Sequence, residues 1–171
     1  KRLAVQPSFH KSKIVNLAAI MTDCIEEMLT EWETLCDDGQ TLQLTDAMMH
    51  VTLKVVVKAL FSSALSDADI HAIATAFTPL LEATNRRVLL PIQFLHKLPL
   101  SNNKKYQGYI KTLDDIIYRI IKERKATDDK PLDLLQMLID ATDEATGLPL
   151  TDQELRNEAM TMFIAGHETT A

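Results

Sequence analysis

Apolar residues recur along most of the chain at steps of three and four positions, the spacing that places side chains on one face of an α-helix. Between Ser12 and Leu35 this face carries Ile14, Leu17, Met21, Cys24, Met28, Trp32 and Leu35. Two aspartates and Gly39 follow, and glycine suits the left-handed conformation in which many helices end. The pattern therefore predicts one long amphipathic helix that stops just before Gly39.

Four further segments show helical spacing. The second helix, from Asp46 to Ser62, is apolar on most of its sides, which favours a central position in the fold. The third is predicted from Asp67 to Thr84, and Pro79 within it is predicted to bend or shorten it. The fourth and fifth are predicted from Asn103 to Lys125 and from Leu132 to Thr142.

The last helix has a clear start signal. Thr146-Gly147-Leu148-Pro149 predicts a turn, and Thr151 with Glu154 gives the Thr-x-x-Glu spacing of a capping box. No stop signal follows, so this helix is predicted to continue through Ala171 and to be cut in its middle. Alternation in Thr41-Leu42-Gln43-Leu44 is the one indication of a strand. The predicted fold class is mainly α, with at most one or two short strands.

The segment from Asn85 to Asn103 is predicted as the only long connection, and it is unusually apolar. It contains Val88-Leu89-Leu90-Pro91, then Phe94-Leu95 and Leu98-Pro99-Leu100. Long apolar loops in compact domains commonly have a use, such as closing over a site as a lid. A loop simply packed on the core is an equally good interpretation of the sequence.

Composition narrows the classes of protein that need considering. The chain has 171 residues, with only 4 Gly and 6 Pro, which disfavours a sandwich or barrel of many short strands. Its net charge of −6 argues against a nucleic-acid partner. No run approaches the roughly 20 apolar residues of a membrane span. The expectation is a soluble, cytoplasmic protein in which residues 1–171 form part of a single domain.

The two cysteines, Cys24 and Cys36, fall on one predicted helix. Their separation along its axis, about 18 Å, is too long for a disulfide. They form no CxxC pair and have no neighbouring His cluster, which argues against a zinc site. These features favour a reducing compartment.

The end of the last helix combines residues that are unusual for a buried helix. Gly166 costs about 1 kcal/mol relative to Ala in a helix interior, and Thr169 and Thr170 are poor helix formers. Their hydroxyls can bond back to the carbonyls of Ala165 and Gly166, which loosens and bends a helix. Glu168 adds a carboxylate. Small residues, hydroxyls and an acid together predict a groove with a route for protons.

This segment has two other interpretations. His167, Glu168 and Thr170 could be solvated polar residues at an exposed helix end. His167-Glu168 could also begin the HExxH pattern of a zinc protease, but Ala171 occupies the position of the second His. The zinc interpretation is therefore set aside, and His167 is interpreted as structural.

Ala165-Gly166-His167-Glu168-Thr169-Thr170 resembles the Ala/Gly-Gly-x-Asp/Glu-Thr-Thr signature of cytochromes P-450, the haem-thiolate monooxygenases, in particular soluble bacterial members similar to fatty-acid hydroxylases. The flanks agree with it: Gly147-Leu148-Pro149-Leu150 resembles the lead-in to that helix, and Asp133-Leu134-Leu135 the short helix before it. Lys1-Arg2-Leu3 to His10 resembles the end of an earlier helix. The resemblance covers the chain from the end of helix C to the middle of helix I of the family.

The resemblance implies roles for specific residues. Thr169 would hydrogen-bond the oxygen at the haem iron, and Glu168 would belong to the proton relay. Ala165 and Gly166 would lie over the haem face. Three further residues are implied more distantly: Arg2 for a haem propionate, and Ile164 and Met162 for the substrate pocket.

At the level of the whole protein, the resemblance implies a haem-dependent monooxygenase that inserts one oxygen atom from O2 into an apolar organic substrate, such as a fatty acid. Electrons would come from NAD(P)H through a flavin or ferredoxin reductase, separate or fused. Val88 to Leu100 would contribute to the substrate entrance. The alternative is an all-helical ligand-binding or regulatory module without catalysis.

The family binds its haem through a Cys thiolate near the C-terminus, in a Phe-x-x-Gly-x-x-x-Cys-x-Gly loop. Neither Cys24 nor Cys36 has that context, and the Glu-x-x-Arg helix of the family is also missing. The chain is therefore interpreted as an internal fragment with no metal ligand of its own. Alone it is expected neither to bind haem tightly nor to turn over.

Overall fold

A computed structural model describes residues 11–62, 65–89, 101–128, 130–143 and 146–170. In these ranges the chain forms six α-helices: α1 (Lys11–Asp37), α2 (Leu44–Phe61), α3 (Asp67–Leu89), α4 (Ser101–Ala126), α5 (Leu134–Ile139) and α6 (Asp152–Glu168). The same ranges contain no strand, only an isolated antiparallel bridge between Thr142 and Pro149. The mainly α fold class is confirmed.

The chain divides into two compact units, residues 1–64 with 121–171 and residues 65–120. In the first unit, α2 packs against α1, α5 and α6, and α5 also packs against α6. The side chains of Val57, Leu60 and Phe61 on α2 are almost completely buried. The predicted central position of this helix is therefore confirmed within its unit.

The second unit consists of α3 and the part of α4 up to Ile120. Its buried side chains recur at helical spacing, with Ile73, Phe77 and Leu80 on α3. On the polar side of the unit, Arg119 Nη2 lies 2.7 Å from Asp69 Oδ1 and joins α4 to the first turn of α3. Amphipathic spacing thus produces a second, smaller core.

Pro79 lies inside α3 without ending it, so the predicted shortening of this helix is wrong. The helix continues to Leu89, since neither glycine nor another proline follows Pro79 before Pro91. The fourth helix likewise begins at Ser101 and not at Asn103. Both ends of the predicted connection from Asn85 to Asn103 are therefore helical, and residues 90–100 lie outside the described residues.

Three smaller corrections concern helix ends. Residues 41–43 have no regular structure and Leu44 already belongs to α2, so the predicted strand at Thr41–Leu44 is wrong. The fifth helix is shorter than predicted, since Asp133 caps it and it ends at Ile139. The sixth ends at Glu168, and Thr169 and Thr170 form a turn. Helix ends lack partners for their last carbonyls, which makes such boundaries hard to predict.

Two predicted backbone signals are confirmed. Gly39 follows α1 with a φ of +66°, the left-handed conformation expected after a helix. Gly147 has a φ of +68° in the turn before α6, where its N–H donates to the Asp143 carbonyl at 2.7 Å. Glycine adopts this region without the strain that a Cβ would add. Within the described ranges, no helix combines the length and apolar composition needed to cross a membrane.

An ion-pair cluster joins α1 to α2. The Glu27 carboxylate lies 2.7 Å from Lys54 Nζ and 2.9 Å from Lys58 Nζ. The hydrogen bonds from Lys54 and then Lys58 hold the pKa of Glu27 below its ordinary value. The hydrogen bond to Glu27 in turn raises the pKa of Lys54. The cluster therefore stabilises the α1–α2 packing most when Glu27 is ionised.

Replacing Glu27 with glutamine is expected to lower the free energy of unfolding at neutral pH by less than about 1 kcal/mol, since water and salt screen the exposed pair. The folded-state pKa of Glu27 is lowered, so its contribution is complete above the pKa of an unfolded glutamate. It is lost as the pH falls through the folded-state pKa. Urea unfolding at a series of acidic pH values should show the two proteins converging. Glu33→Gln on the same helix is the control, and a Glu27→Gln protein whose deficit persists in acid would contradict the assignment.

Candidate functional site

The start of α6 is fixed by side chains that sequence analysis identified correctly. Thr151 Oγ1 accepts a hydrogen bond from the Glu154 backbone N–H at 3.3 Å, and Glu154 Oε2 accepts one from the Thr151 backbone N–H at 3.1 Å. This reciprocal pair is a capping box. Lys125 Nζ also lies 2.6 Å from Asp152 Oδ1 and ties the end of α4 to the first turn of α6. The helix that carries the candidate motif therefore begins at a defined position.

The two sides of α6 differ sharply in burial. The buried side chains, at steps of mostly four residues, are those of Leu155, Ala159, Met160, Phe163 and His167. The exposed stripe, also at steps of four, consists of Asn157, Thr161, Ala165 and Thr169. Four residues advance a helix by slightly more than one turn, so each set occupies one face. The predicted catalytic threonine and the predicted haem-facing alanine thus share the exposed face.

Thr169 makes the hydrogen bond that the sequence predicts. Its Oγ1 donates to the Ala165 carbonyl at 2.5 Å, and its backbone N–H donates to the same oxygen at 3.4 Å. Thr161 repeats the arrangement two turns earlier, donating to the Asn157 carbonyl at 2.8 Å. For Thr170, the described bond runs from its backbone N–H to the His167 carbonyl at 3.4 Å. The Thr169 hydroxyl is therefore held on the exposed face at the end of α6, with its lone pairs available.

Gly166 does not share that face. A Cβ built on it would lie 3.1 Å from Val56 Cγ2 and 3.6 Å from Val56 Cγ1, both on α2. One residue along a helix turns the side-chain direction by about 100°, so Gly166 looks toward α2 while Ala165 looks outward. A Cβ at Gly166 would therefore be in tight contact with α2.

The remaining predicted residues fall in three groups. Met162 and Ile164 are half-buried on α6, on either side of the exposed stripe. Glu168 is the last helical residue of α6, and the structure describes its backbone only. Arg2 and the segment from Lys1 to His10 also lie outside the described residues. His167 is 3% exposed, as expected of a structural residue.

A buried ion pair in the same unit as α6 was not identified from the sequence. Arg124 at the end of α4 pairs with Asp133 through two bonds of 3.1 and 2.9 Å. Arg124 also donates to the Phe61 carbonyl at the end of α2, at 3.3 Å. Asp133 accepts in addition from the Gln136 backbone N–H at 2.8 Å and so caps α5. One charge pair thus joins the ends of α2 and α4 to the start of α5.

Few features of the sequence predict the cluster of Arg124, Asp133 and the Phe61 carbonyl. An aspartate immediately before a short apolar helix is a cap signal, and Asp133 could have been identified as one. An arginine in the last turn of an amphipathic helix normally points into solvent. Only the packing shows that Arg124 is 7% exposed and that Asp133 is completely buried.

Neither cysteine resembles a metal ligand. Cys24 is completely buried on α1, and burial raises the pKa of its thiol, although Lys58 and Lys54 act in the opposite direction. A cysteine that binds a metal needs the thiolate form, which a raised pKa disfavours. Cys36 is exposed near the end of α1, and both cysteines are free thiols. Both cysteines thus lie on α1, a different helix from the one that carries the candidate motif.

The comparison with family models identifies the chain. The model described as cytochrome P-450 matches residues 1–171, the whole length of the sequence. The chain therefore belongs to the cytochrome P-450 family, and the resemblance drawn from its last helix is confirmed. The family implies haem as the cofactor.

Relatives and solved structures agree with this assignment. The chain is 32% identical to cyclooctatin synthase from Streptomyces melanosporofaciens, over the whole chain and 37% of that protein. It is 29% identical to bifunctional cytochrome P-450/NADPH–P-450 reductase 2 from Bacillus subtilis, over 96% of the chain and 16% of that protein. The haem domain of cytochrome P-450DA superposes with a TM-score of 0.79 at 23% identity, over 97% of this chain and 35% of that one. The chain thus spans about a third of the length of its first relatives.

Proposed function

We propose that the whole protein is a haem-dependent monooxygenase that inserts one oxygen atom from O2 into an apolar organic substrate, a fatty acid or a similar molecule. The observation that carries the proposal is the Thr169 hydroxyl, bonded to the Ala165 carbonyl on the exposed face of a helix that carries the family signature. Haem, when bound, supplies the iron at which dioxygen is activated. The residues described below would supply the surface and the protons.

The exposed face of α6 fits a flat prosthetic group. Ala165 and Thr169 are exposed and carry no bulky side chain, so a porphyrin ring could approach the helix closely there. Ala165 would lie over the haem face. Gly166 is proposed to belong to the same haem-binding segment, although a Cβ on it would lie 3.1 Å from Val56 Cγ2. Arg2 is proposed to contact a haem propionate, and it lies outside the described residues. The proposed axial cysteine is not one of the residues of this sequence.

Thr169 can serve as a proton-handling group because the hydrogen bond described for its hydroxyl is the one that it donates to the Ala165 carbonyl. The hydroxyl proton is donated to Ala165 O, which leaves the oxygen lone pairs to accept a hydrogen bond from a water. Rotation of the side chain would redirect that proton outward at a net cost of about 1 kcal/mol. The Ala165 carbonyl would keep the backbone N–H of Thr169 as a partner. Glu168, one residue earlier, is proposed as the acid that resupplies the proton.

The substrate and the source of electrons are supported less directly. Met162 and Ile164 flank the exposed stripe on α6 and are proposed to contact an apolar substrate. The apolar segment from Val88 to Leu100 is proposed to form part of its entrance. The Bacillus subtilis relative is named as a bifunctional P-450 and NADPH–P-450 reductase, which supports NAD(P)H and a flavin or ferredoxin reductase as the electron source.

The test is spectroscopic and uses the complete gene product. Reduction with dithionite under carbon monoxide is expected to give an absorption band at about 450 nm, the mark of haem iron with a thiolate ligand. Purified protein that takes up haem without this band, or takes up none, would overturn the proposal. A helical binding module without catalysis would give that second result.

A further inference from the structure

We propose that Val56 on α2 and Gly166 on α6 are positioning residues, which together set how far the exposed face of α6 stands from the packed core of its unit. The inference rests on the proposed function. It concerns the support of the reacting face, since neither residue lies on that face. The glycine of the signature would then be required by helix packing on α2, and not by a groove for the ligand.

The contact itself is the first step of the argument. A methyl group at Gly166 would lie 3.1 Å from Val56 Cγ2, closer than carbon atoms normally pack. Glycine therefore lets α6 lie nearer to α2 than alanine would allow. Ala159, two turns earlier at the same side of α6, is completely buried and also small. Both positions are consistent with close approach of the two helices.

Val56 has little freedom to move aside. A β-branched residue in a helix has one strongly preferred rotamer, so turning its methyl groups away is unfavourable. The helix α2 is also held from two sides, by the Lys54 and Lys58 pairs with Glu27 and by the bond from Arg124 to the Phe61 carbonyl. A methyl group at Gly166 would therefore require a shift of a few tenths of an ångström at Val56 or in α6, and α6 is expected to give way.

Displacement of α6 would reach the proposed reacting groups directly. Gly166 is adjacent to Ala165, whose carbonyl holds the Thr169 hydroxyl, so a shift of the backbone at Gly166 moves both. Proton transfer and oxygen activation depend on positions to well within 1 Å, and misplacement of that size can cost roughly a hundredfold in rate. The packing of α6 on α2 thus sets the geometry of the exposed face.

A double-mutant cycle in the complete holoenzyme tests the proposal, with Gly166→Ala, Val56→Ala and the two combined. Gly108→Ala is the matched control, because Gly108 is also helical and a Cβ there meets nothing within 4 Å. The control is expected to raise Tm by about 2 °C through helix propensity alone. Gly166→Ala is expected to lower Tm instead, and to lower the product formed per NADPH at least about twofold.

Rescue is the decisive measurement. Val56→Ala should restore the product-to-NADPH ratio of the Gly166→Ala protein and should remove most of its loss in Tm. If the ratio stays low in the double variant while the band at about 450 nm is present, Gly166 acts through the ligand side and the proposal is overturned. A Gly166→Ala protein that gains stability as Gly108→Ala does would overturn it as well. Absence of that band in the unmutated protein would remove the proposed function and the positioning role, whereas the Tm cycle would still report on the packing contact.

Discussion

Replacing Thr169 with alanine is expected to separate oxygen consumption from product formation in the complete protein. The variant loses the hydroxyl that α6 holds on its exposed face through the Ala165 carbonyl. Under the proposed function, a water-borne proton would then lose the hydroxyl that positions it. The product formed per NADPH consumed should fall by roughly tenfold, within the range that a positioned proton donor contributes. Hydrogen peroxide should rise in proportion, while the band at about 450 nm should remain because Thr169 is not the proposed thiolate ligand.

Thr161→Ala is the matched control for this prediction. Thr161 lies on the same exposed face of α6 and makes the same bond to the carbonyl four residues earlier, at 2.8 Å. Both variants therefore lose an equivalent local hydrogen bond, and Thr161→Ala in addition gains the helix propensity of alanine. The product-to-NADPH ratio of Thr161→Ala is expected to match that of the unmutated protein. An equal fall of the product-to-NADPH ratio in both variants would show that the effect comes from the loss of a local hydrogen bond in this helix. The role assigned to Thr169 would then be wrong.

The sequence predicts the helices well because their signals are local. Apolar spacing identified five of the six described helices and a capping box the sixth, and the special residues at their ends, Gly39, Thr151 and Glu154, have the predicted conformations or bonds. The apolar composition of α2 on most sides correctly indicated the centre of its unit. The back-bond from Thr169 to Ala165 was predictable for the same reason, since it depends only on four residues of one helix.

What the sequence left open depends on neighbours distant along the chain. The side of α6 that faces α2 cannot be read from the signature, and only the structure shows that a Cβ at Gly166 would lie 3.1 Å from Val56 Cγ2. Arg124 resembles an ordinary charged residue at a helix end until the Phe61 carbonyl and Asp133 are placed around it. In both cases the deciding contact joins residues from different helices. Local propensity carries no information about such pairs.

The largest loss of stability is expected when the buried ion pair between Arg124 and Asp133 is broken. Replacing Arg124 with alanine should lower the free energy of unfolding by about 3–5 kcal/mol, since it leaves the carboxylate of Asp133 buried without its partner. The Phe61 carbonyl loses a donor in the same variant. Unfolding of the complete protein in guanidinium chloride, followed by circular dichroism, would measure the change. The control is Lys125→Ala, at the next position of α4. It breaks an exposed ion pair with Asp152 and should lower the free energy of unfolding by less than about 1 kcal/mol.

A double variant separates the charge from the packing. Arg124→Met with Asp133→Asn removes both charges, keeps an oxygen that can cap α5, and fills most of the space of the arginine side chain. If the loss in Arg124→Ala comes from an uncompensated buried carboxylate, this double variant should be clearly more stable than Arg124→Ala, although it carries one more substitution. It should still fall below the unmutated protein by about 1 kcal/mol, because the Phe61 carbonyl has lost its donor. A double variant no more stable than Arg124→Ala would instead assign the loss to the packing of the guanidinium between the ends of α2 and α4.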